Sequence, residues 1–578
     1  MKKKLLLLVS MMLVLSLFLA ACGGKKEESS SNNNNNNNNQ GEEKKEDPNK
    51  PQDGGTLNYA LTSSFNGLLD INFYENATDG EIIGFFQEGF IKYDENLKPV
   101  PHLAEWKTED NKVYNFKIKE GVKWHNGDDL VVDDWIFALE TIAKVKDHPR
   151  WTNVSTIVGA ADFKDGKADS IAGLKKISDH EIEITFEEAA INNLENLWTY
   201  PMNRKHFEGI DPNKMSESTQ VRTEPVGTGP FKVQNVLPGE SVELVRNENY
   251  WGGKPHIEKI IIKVYDASLV VKSLEAGDID MVSIAPAQLP EIEKLTNVKV
   301  ERYPGLSYYY VGFKFGELKD GKVVMNRDKY NDKNLRKAMM YALNREEWIN
   351  AFWGGLGTPI NSVIPSSHWI AASSSELPND YKYDPEMAKK ILADAGWKDV
   401  NGDGFVEDPN GNEFVINFGH YATTNPTFET RARQLTQYWE EVGLKTKLTM
   451  TDSNLYYDQI QKDHKSVEVF FGGWSTGADP DPWGLWGDDT SFNYPRWTND
   501  KALQIMKDAV NLDVVGQDTD KRKALYVEFQ SIINEELPML PILELEDASA
   551  LNNRLQNVTF DVSGTNSPHE WWLKQNEE

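Results

Sequence analysis

One cysteine in 578 residues rules out a disulfide framework and any paired-cysteine redox or zinc motif. The chain also lacks a His-Glu-x-x-His helix, a Gly-rich phosphate loop and a Gly-x-Ser-x-Gly elbow, so it carries no recognisable catalytic motif. Paired glycosidase carboxylates need only be close in space, which keeps a surface hydrolase of peptides or glycans as a competing reading. His125, His148 and His206 stand in separate segments without metal-ligand spacing and read as packing or surface residues. Positive charge is scarce: 62 Lys and Arg stand against 90 Asp and Glu, a formal net charge of -28. Phosphate binding needs clustered cations, so nucleic acid is not an expected partner. The acidity either favours cationic ligands or is a solvated surface.

Long apolar runs are almost absent. The clearest, Leu5 to Ala20, follows Lys2, Lys3 and Lys4 and leads into Leu19-Ala20-Ala21-Cys22. At roughly 16 residues it is short for a membrane span and fits a secretory signal peptide, 1–21. The tetrad is a lipobox: cleavage would leave Cys22 to take a diacylglycerol, and two acyl chains hold a protein on a bilayer. The expected address is the cell membrane, lipid-anchored on its extracytoplasmic face. Losing the three lysines takes the charge from -28 to -31. Residues 22–53 then supply the lipidated cysteine and a spacer containing eight asparagines, Asn32 to Asn39, with too little apolar content to build a core. Such a spacer reaches roughly 30 Å.

From Gly54 about 525 residues remain, enough for two or three domains. Strand and helix signals alternate without a repeat period. Ser241 to Val245 and Ile257 to Val264 alternate apolar and polar around a Gly252-Gly253-Lys254-Pro255 turn, which predicts a strand pair. Ser268 is placed to cap a helix ending at Gly277, followed by a strand over Asp278 to Val282. Asp133 is placed to cap a helix carrying Trp135, Leu139 and Ile142.

Several motifs occur in a telling order: Lys123-Trp124-His125-Asn126-Gly127, Pro225-Val226-Gly227-Thr228-Gly229-Pro230-Phe231, Arg246-Asn247-Glu248-Asn249-Tyr250-Trp251, and Leu335-Arg336-Lys337-Ala338 to Asn344-Arg345-Glu346. With them the chain from Gly54 onward resembles the extracytoplasmic oligopeptide-binding proteins of ABC importers, solute-binding protein family 5. The resemblance implies an α/β, bilobal periplasmic-binding-protein-like fold of the large class II type, with three domains and a two-crossing hinge. Domain I would comprise 54–98, 223–310 and 546–578, domain II 99–222, and domain III 311–545. The crossings are expected near Tyr310 and Gly312, and near Pro541 and Leu543, where a few residues can absorb closure. Implied partners are oligopeptides and the permease's transmembrane subunits, and the receptor itself would be a monomer.

A receptor for varied peptides must draw affinity from shared backbone groups and charged ends, as strand addition to a sheet edge does. The resemblance places that edge at Gly473, Trp474, Ser475 and Thr476, with Trp483 as a further ligand wall. In the family a nearby aspartate often meets the peptide ammonium, and Asp479 and Asp481 are the ones available. Such a contact at about 4 Å is worth about 4 kcal/mol before desolvation, half of what micromolar binding requires. The alternative is that both aspartates brace a proline-rich turn. Aligning Asp481-Pro482 with the commonest family pattern puts Ala478 at the amine-binding position, and Asp-Pro-Asp-Pro looks more like the branch taking longer peptides. From the other lobe, Asn76 and Ala77 would offer backbone to the cleft, or simply begin a helix.

Asp399, Asn401, Asp403 and Phe405 follow the alternate-oxygen pattern of an EF-hand loop, but the twelfth position is Asn410. Weak calcium binding and a polar hairpin turn are both open, and no other cofactor is expected. Within the same fold, a nickel chelate, haem, a signalling peptide or a sugar remains the alternative cargo.

Overall fold

The computed structural model describes residues 50–423 and 427–574. The signal peptide, Cys22 and the asparagine tract lie outside the described residues. Among those described, no helix is long and apolar enough to cross a membrane.

Ten strands form one mixed sheet: β1 (Thr56–Leu61), β2 (Phe231–Leu237), β3 (Ser241–Arg246), β4 (Lys259–Val264), β5 (Met281–Ser283), β6 (Val298–Phe313), β7 (Val415–Ala422), β8 (Lys445–Asp452), β9 (Val469–Ser475) and β10 (Met539–Asn552). Their order is β8-β7-β9-β6-β10-β5-β1-β4-β3-β2. Four helices bear on the site: α1 (Ala77–Ile83), α2 (Asn193–Asn196), α3 (Thr427–Glu441) and α4 (Thr519–Glu536).

The long antiparallel strands β6 and β10 join two half-sheets. Val298 to Pro304 pair with Glu546 to Asn552, and Tyr308 to Gly312 pair with Met539 to Glu544, with a break between. Pro304 has no N–H to give the ladder. A Cβ on the following Gly305 would lie 3.0 Å from both Asp547 Oδ2 and the Leu545 carbonyl. Past the break, Tyr308, Tyr310, Leu540 and Leu543 enter the core of lobe 2 with Trp348, Phe418 and Trp439. Before it, Ala548 and Ala550 join Val270, Leu274 and Val282 in lobe 1, beside a second cluster around Leu57, Phe86 and Ile260. A separate core around Trp135 is roofed by a four-stranded sheet and spans residues 90–197. The result is an α/β bilobal fold.

The structure places Tyr310, Gly312, Pro541 and Leu543, expected at the hinge, inside the lobe 2 ladder, where Tyr310 and Leu543 are fully buried. The interruption in β6 and β10 pairing lies earlier, at Pro304 to Tyr308 and Glu544 to Glu546, alongside a one-residue shift at Tyr309/Tyr310.

The predicted strand pair is β3 with β4, Val245 opposite Lys259. Two caps differ from expectation. Asp266, not Ser268, supplies the cap: it accepts the Ser268 N–H at the start of the 3-10 turn Ala267–Leu269, which runs into the helix Val270–Ala276 that stops at left-handed Gly277. The helix Val132–Lys144 starts at Val131, whose N–H is taken by Asp134, while Asp133 lies in the first turn and pairs with Lys176. His125 accepts the Gly227 N–H at Nδ1 and donates from Nε2 to the Gly229 carbonyl, locking two of the sequence motifs together. Burial pushes its pKa down to about 4, which keeps it neutral for that role.

Candidate ligand-binding site

The site begins where β9 loses a neighbour. β7 pairs with β9 only at Phe418/Val469 and Gly419/Phe470, whereas β6 pairs along it from Phe313/Val469 to Ser307/Ser475. Gly472 to Ser475 therefore have β6 on one side and, among the described residues, no strand on the other. The Tyr456 hydroxyl fills the start of the split, 3.0 Å from the Gly419 carbonyl and 2.7 Å from that of Phe471. Glycines are required here because a Cβ on Gly473 would meet the Tyr309 ring at 2.8 Å, and one on Gly472 the Tyr310 ring at 2.9 Å. Beyond lies a wedge-shaped cavity of about 240 Å³, lined by Ser307, Tyr309, Tyr421, Tyr457 and Ser475 among others.

Trp474 is half-buried against Tyr494 and Phe492, its ring centroid 4.8 and 5.8 Å from theirs. Thr476 turns back on β6, giving both its N–H and its hydroxyl to the Leu306 carbonyl. Trp483 is not among the residues lining the wedge; its indole N–H donates to Asp489 and Lys507 sits over its ring.

The two aspartates are engaged within the protein. Asp479 Oδ1 accepts from Arg522 Nη2 of α4 and from the Asp481 N–H, both at 3.2 Å. Its Oδ2 accepts from the side-chain amides of Asn192 and Asn196, at 2.8 and 3.1 Å, on and beside α2 in the other lobe. Asp481 accepts the Trp483 N–H at 3.0 Å. Burial, then the Asp479 charge, pushes the Asp481 carboxyl up to about 7. Glu195 of α2 rises to about 7 for the same two causes. These bonds brace the turn, and those of Asp479 to Asn192 and Asn196 also tie the lobes together. Asn192, Asn196 and Arg522 carried no sequence signal, since hundreds of positions separate the asparagines from Asp479.

On the lobe 1 side, Asn76 caps α1 by accepting the Asp79 N–H at 2.9 Å, and Ala77 is exposed at its first turn. Arg150 holds the preceding loop, donating to the Tyr74 carbonyl and stacking over Tyr74 and Trp198 at 4.7 and 5.2 Å. A cavity of about 640 Å³ opens beside α1, bounded by Glu81, Tyr93, Glu195, Trp198 and Tyr200 among others.

The Asp399 loop uses its oxygens internally. Asp399 accepts the N–H groups of Gly402 and Gly404, Asn401 that of Asp403, and Asp403 that of Phe405. Among the described residues, no group of three His, Cys, Asp or Glu side chains is arranged to hold a metal ion.

Residues 98–495 match the family described as bacterial extracellular solute-binding proteins, family 5. The chain is 27% identical over 480 residues to the oligopeptide-binding protein OppA of Lactococcus lactis subsp. lactis, covering 79% of each. It is 26% identical over 544 residues to the oligopeptide-binding protein AppA of Bacillus subtilis strain 168, covering 91% of this chain and 92% of that one. In fold it is similar to lactococcal OppA complexed with an endogenous peptide in the closed conformation, with a TM-score of 0.74 and 24% identity, covering 90% of this chain and 99% of that one.

Proposed function

This chain belongs to family 5 of the bacterial extracellular solute-binding proteins, and from that premise we propose that it is a lipid-anchored receptor that captures oligopeptides between its lobes for the permease of an ABC importer. The observation that carries the reading is the open edge of β9. An extended peptide laid beside Gly473 to Ser475 would add a strand there, taking affinity from main-chain hydrogen bonds that all peptides offer. The cavity beside α1 would accept side chains with little discrimination.

In this reading the lobes close by bending where the β6 and β10 ladder is broken, between domains I and III. Peptide would shift an open-closed equilibrium, and the permease would bind the closed surface. The lipobox at Cys22 supports tethering, and the protein acts as a monomer that returns its ligand uncut.

Native mass spectrometry of the purified protein, with small-angle scattering before and after adding a peptide pool, tests the proposal. The expected result is co-purified peptides of varied sequence and a smaller radius of gyration on loading. A protein that stays open with every pool, yet loads haem or a nickel chelate, or that cleaves the peptides, would overturn it.

A further inference from the structure

The wedge beside β9 is backed by a buried cation. Arg431 of α3 is 6% exposed, and among the described residues it has no carboxylate partner. Its guanidinium lies among aromatic rings, 3.9 Å from the centroid of Phe428, 4.9 Å from Trp353 and 5.2 Å from Phe471. Two polar contacts hold it: Nε donates to His420 Nε2 at 3.2 Å, and Nη2 donates to the Tyr421 hydroxyl at 2.7 Å. His420 cannot neutralise it. The other ring nitrogen, Nδ1, lies 2.7 Å from the Tyr421 carbonyl and carries the proton, so Nε2 faces Arg431 as a lone pair. Burial and the Arg431 charge keep this imidazole neutral, its pKa pushed down to about 3.

An unpaired buried guanidinium is costly unless a charge or strong acceptor completes it. Here the completion is routed towards the wedge. Tyr421 accepts from Arg431 and lines the cavity, which leaves its own proton free to donate inward. Around it stand the hydroxyls of Ser307, Tyr309, Tyr457 and Ser475, and among the described residues no acidic side chain lines the space. Asp547, the carboxylate whose charge reaches Tyr309, belongs to the lobe 1 end of β10 and is exposed. In a chain of net charge -28, this is a locally positive, hydroxyl-rich recess along the open strand edge.

We propose that the wedge is a carboxylate subsite, in which the Tyr421 hydroxyl, positioned and polarised by Arg431, receives a carboxylate of the bound peptide. This rests on the peptide reading above. The carboxylate is the peptide's C-terminal group or an Asp or Glu side chain, and the chemistry is the same for both.

Randomised nonapeptide pools in four forms separate the cases: free acid or C-terminal amide, each with one fixed Glu or one fixed Gln. By competition titration the wild-type protein should prefer a carboxylate-bearing pool by about tenfold or more, as a charge-assisted hydrogen bond predicts. Loss of preference on amidation assigns the terminus, and loss on Glu to Gln exchange assigns the side chain. Tyr421→Phe keeps the ring and removes only the hydroxyl, and Arg431→Met removes the charge. Each should bring the preference to about one, whereas a purely structural role would weaken every pool alike and leave the preference in place. Equal wild-type affinities for all four pools, or a preference that survives Tyr421→Phe, would overturn the subsite while leaving the peptide reading intact. Failure of every pool to bind would sink the peptide reading and the subsite with it.

Discussion

The Asp479 carboxylate of lobe 2 accepts a 2.8 Å hydrogen bond from the side-chain amide of Asn192, 287 residues away in lobe 1. Because Arg522 holds the other oxygen, the carboxylate is fixed before the lobes meet, and the asparagines need only dock onto it. The contact is a latch across the cleft, built on the turn that follows the open edge of β9.

Removing the asparagines, not the aspartate, isolates the latch, since Asp479→Ala would also strand the buried Arg522. Asn192→Ala with Asn196→Ala removes two hydrogen bonds to a charged acceptor, each worth about 1.5 to 3 kcal/mol when both partners are held. The ligand-free double variant should shift towards the open form by at least about tenfold. Small-angle scattering should show a larger radius of gyration than for wild type, and peptide affinity should fall in proportion. An unchanged scattering profile would remove the latch from the closing mechanism.

The same interface should sense pH. Asp481 titrates near 7 in the folded protein against an ordinary 3.8, and Glu195 near 7 against 4.5. The folded, closed form therefore binds more protons than the unfolded chain between those values, and stability falls as pH rises from about 4 to about 7. Asp481→Asn should flatten that part of the pH profile, with the wild-type minus variant difference in melting temperature becoming steadily more negative from about pH 4 to about pH 7 and levelling off above it. A difference that stays constant with pH would contradict it.

What the sequence could and could not reveal follows from the range of each interaction. The β3 and β4 pair was readable because period-two alternation and a Gly-Gly-Lys-Pro turn are local. The helix stop at Gly277 was readable for the same reason, but the cap moved from Ser268 to Asp266 because either side chain can serve and only backbone direction decides. The Asp399 loop resembled a metal site because turns closed by Asp and Asn side chains and calcium loops both place oxygens at alternate positions. Only the direction of the oxygens, here onto backbone N–H groups, separates them. Nothing local announces that β7 leaves β9 after Phe470, or that Arg431 meets no carboxylate among the described residues. Both depend on which distant segments fail to meet.

That loop gives a simple thermal prediction. Asp399 and Asp403 are turned onto backbone N–H groups, and Asn410 stands where an EF-hand loop has its bidentate glutamate, so the loop offers calcium an incomplete ligand set. Millimolar calcium and a chelator should give the same melting temperature, and a clear rise with calcium would show that the loop rearranges to bind it.

Lobe 2 is held behind the site by a buried charge cluster. Lys314 donates to Asp463 and to the Ile460 and Tyr494 carbonyls, and Arg496 donates from Nε to the same Asp463 oxygen at 2.8 Å. Lys314 and Arg496 are almost wholly buried, so Asp463→Ala would leave two cations without a counter-ion. A cost of about 3 to 5 kcal/mol is expected by denaturant unfolding, against less than about 1 kcal/mol for an exposed pair such as Lys390 with Asp394.

The sharpest steric prediction lies in lobe 1, where the motif Pro225 to Phe231 runs against the end of α1. A Cβ on Gly227 would sit 1.7 Å from the Phe86 carbonyl oxygen, and one on Gly229 2.8 Å from it. The obstacle is backbone, and the Gly229 N–H already donates to that same oxygen at 3.0 Å, so neither segment can give way without breaking the bond that joins them. His125 holds the other side of the motif through Gly227 and Gly229, which closes the remaining route of relief. Gly227→Ala should therefore cost more than about 3 kcal/mol, well above the fraction of a kcal/mol typical of Gly→Ala at a compatible site. Gly239, left-handed with open space around it, is the control for conformational strain alone. If Gly227→Ala unfolds no more easily than Gly239→Ala, the close contact between the motif and α1 is wrong.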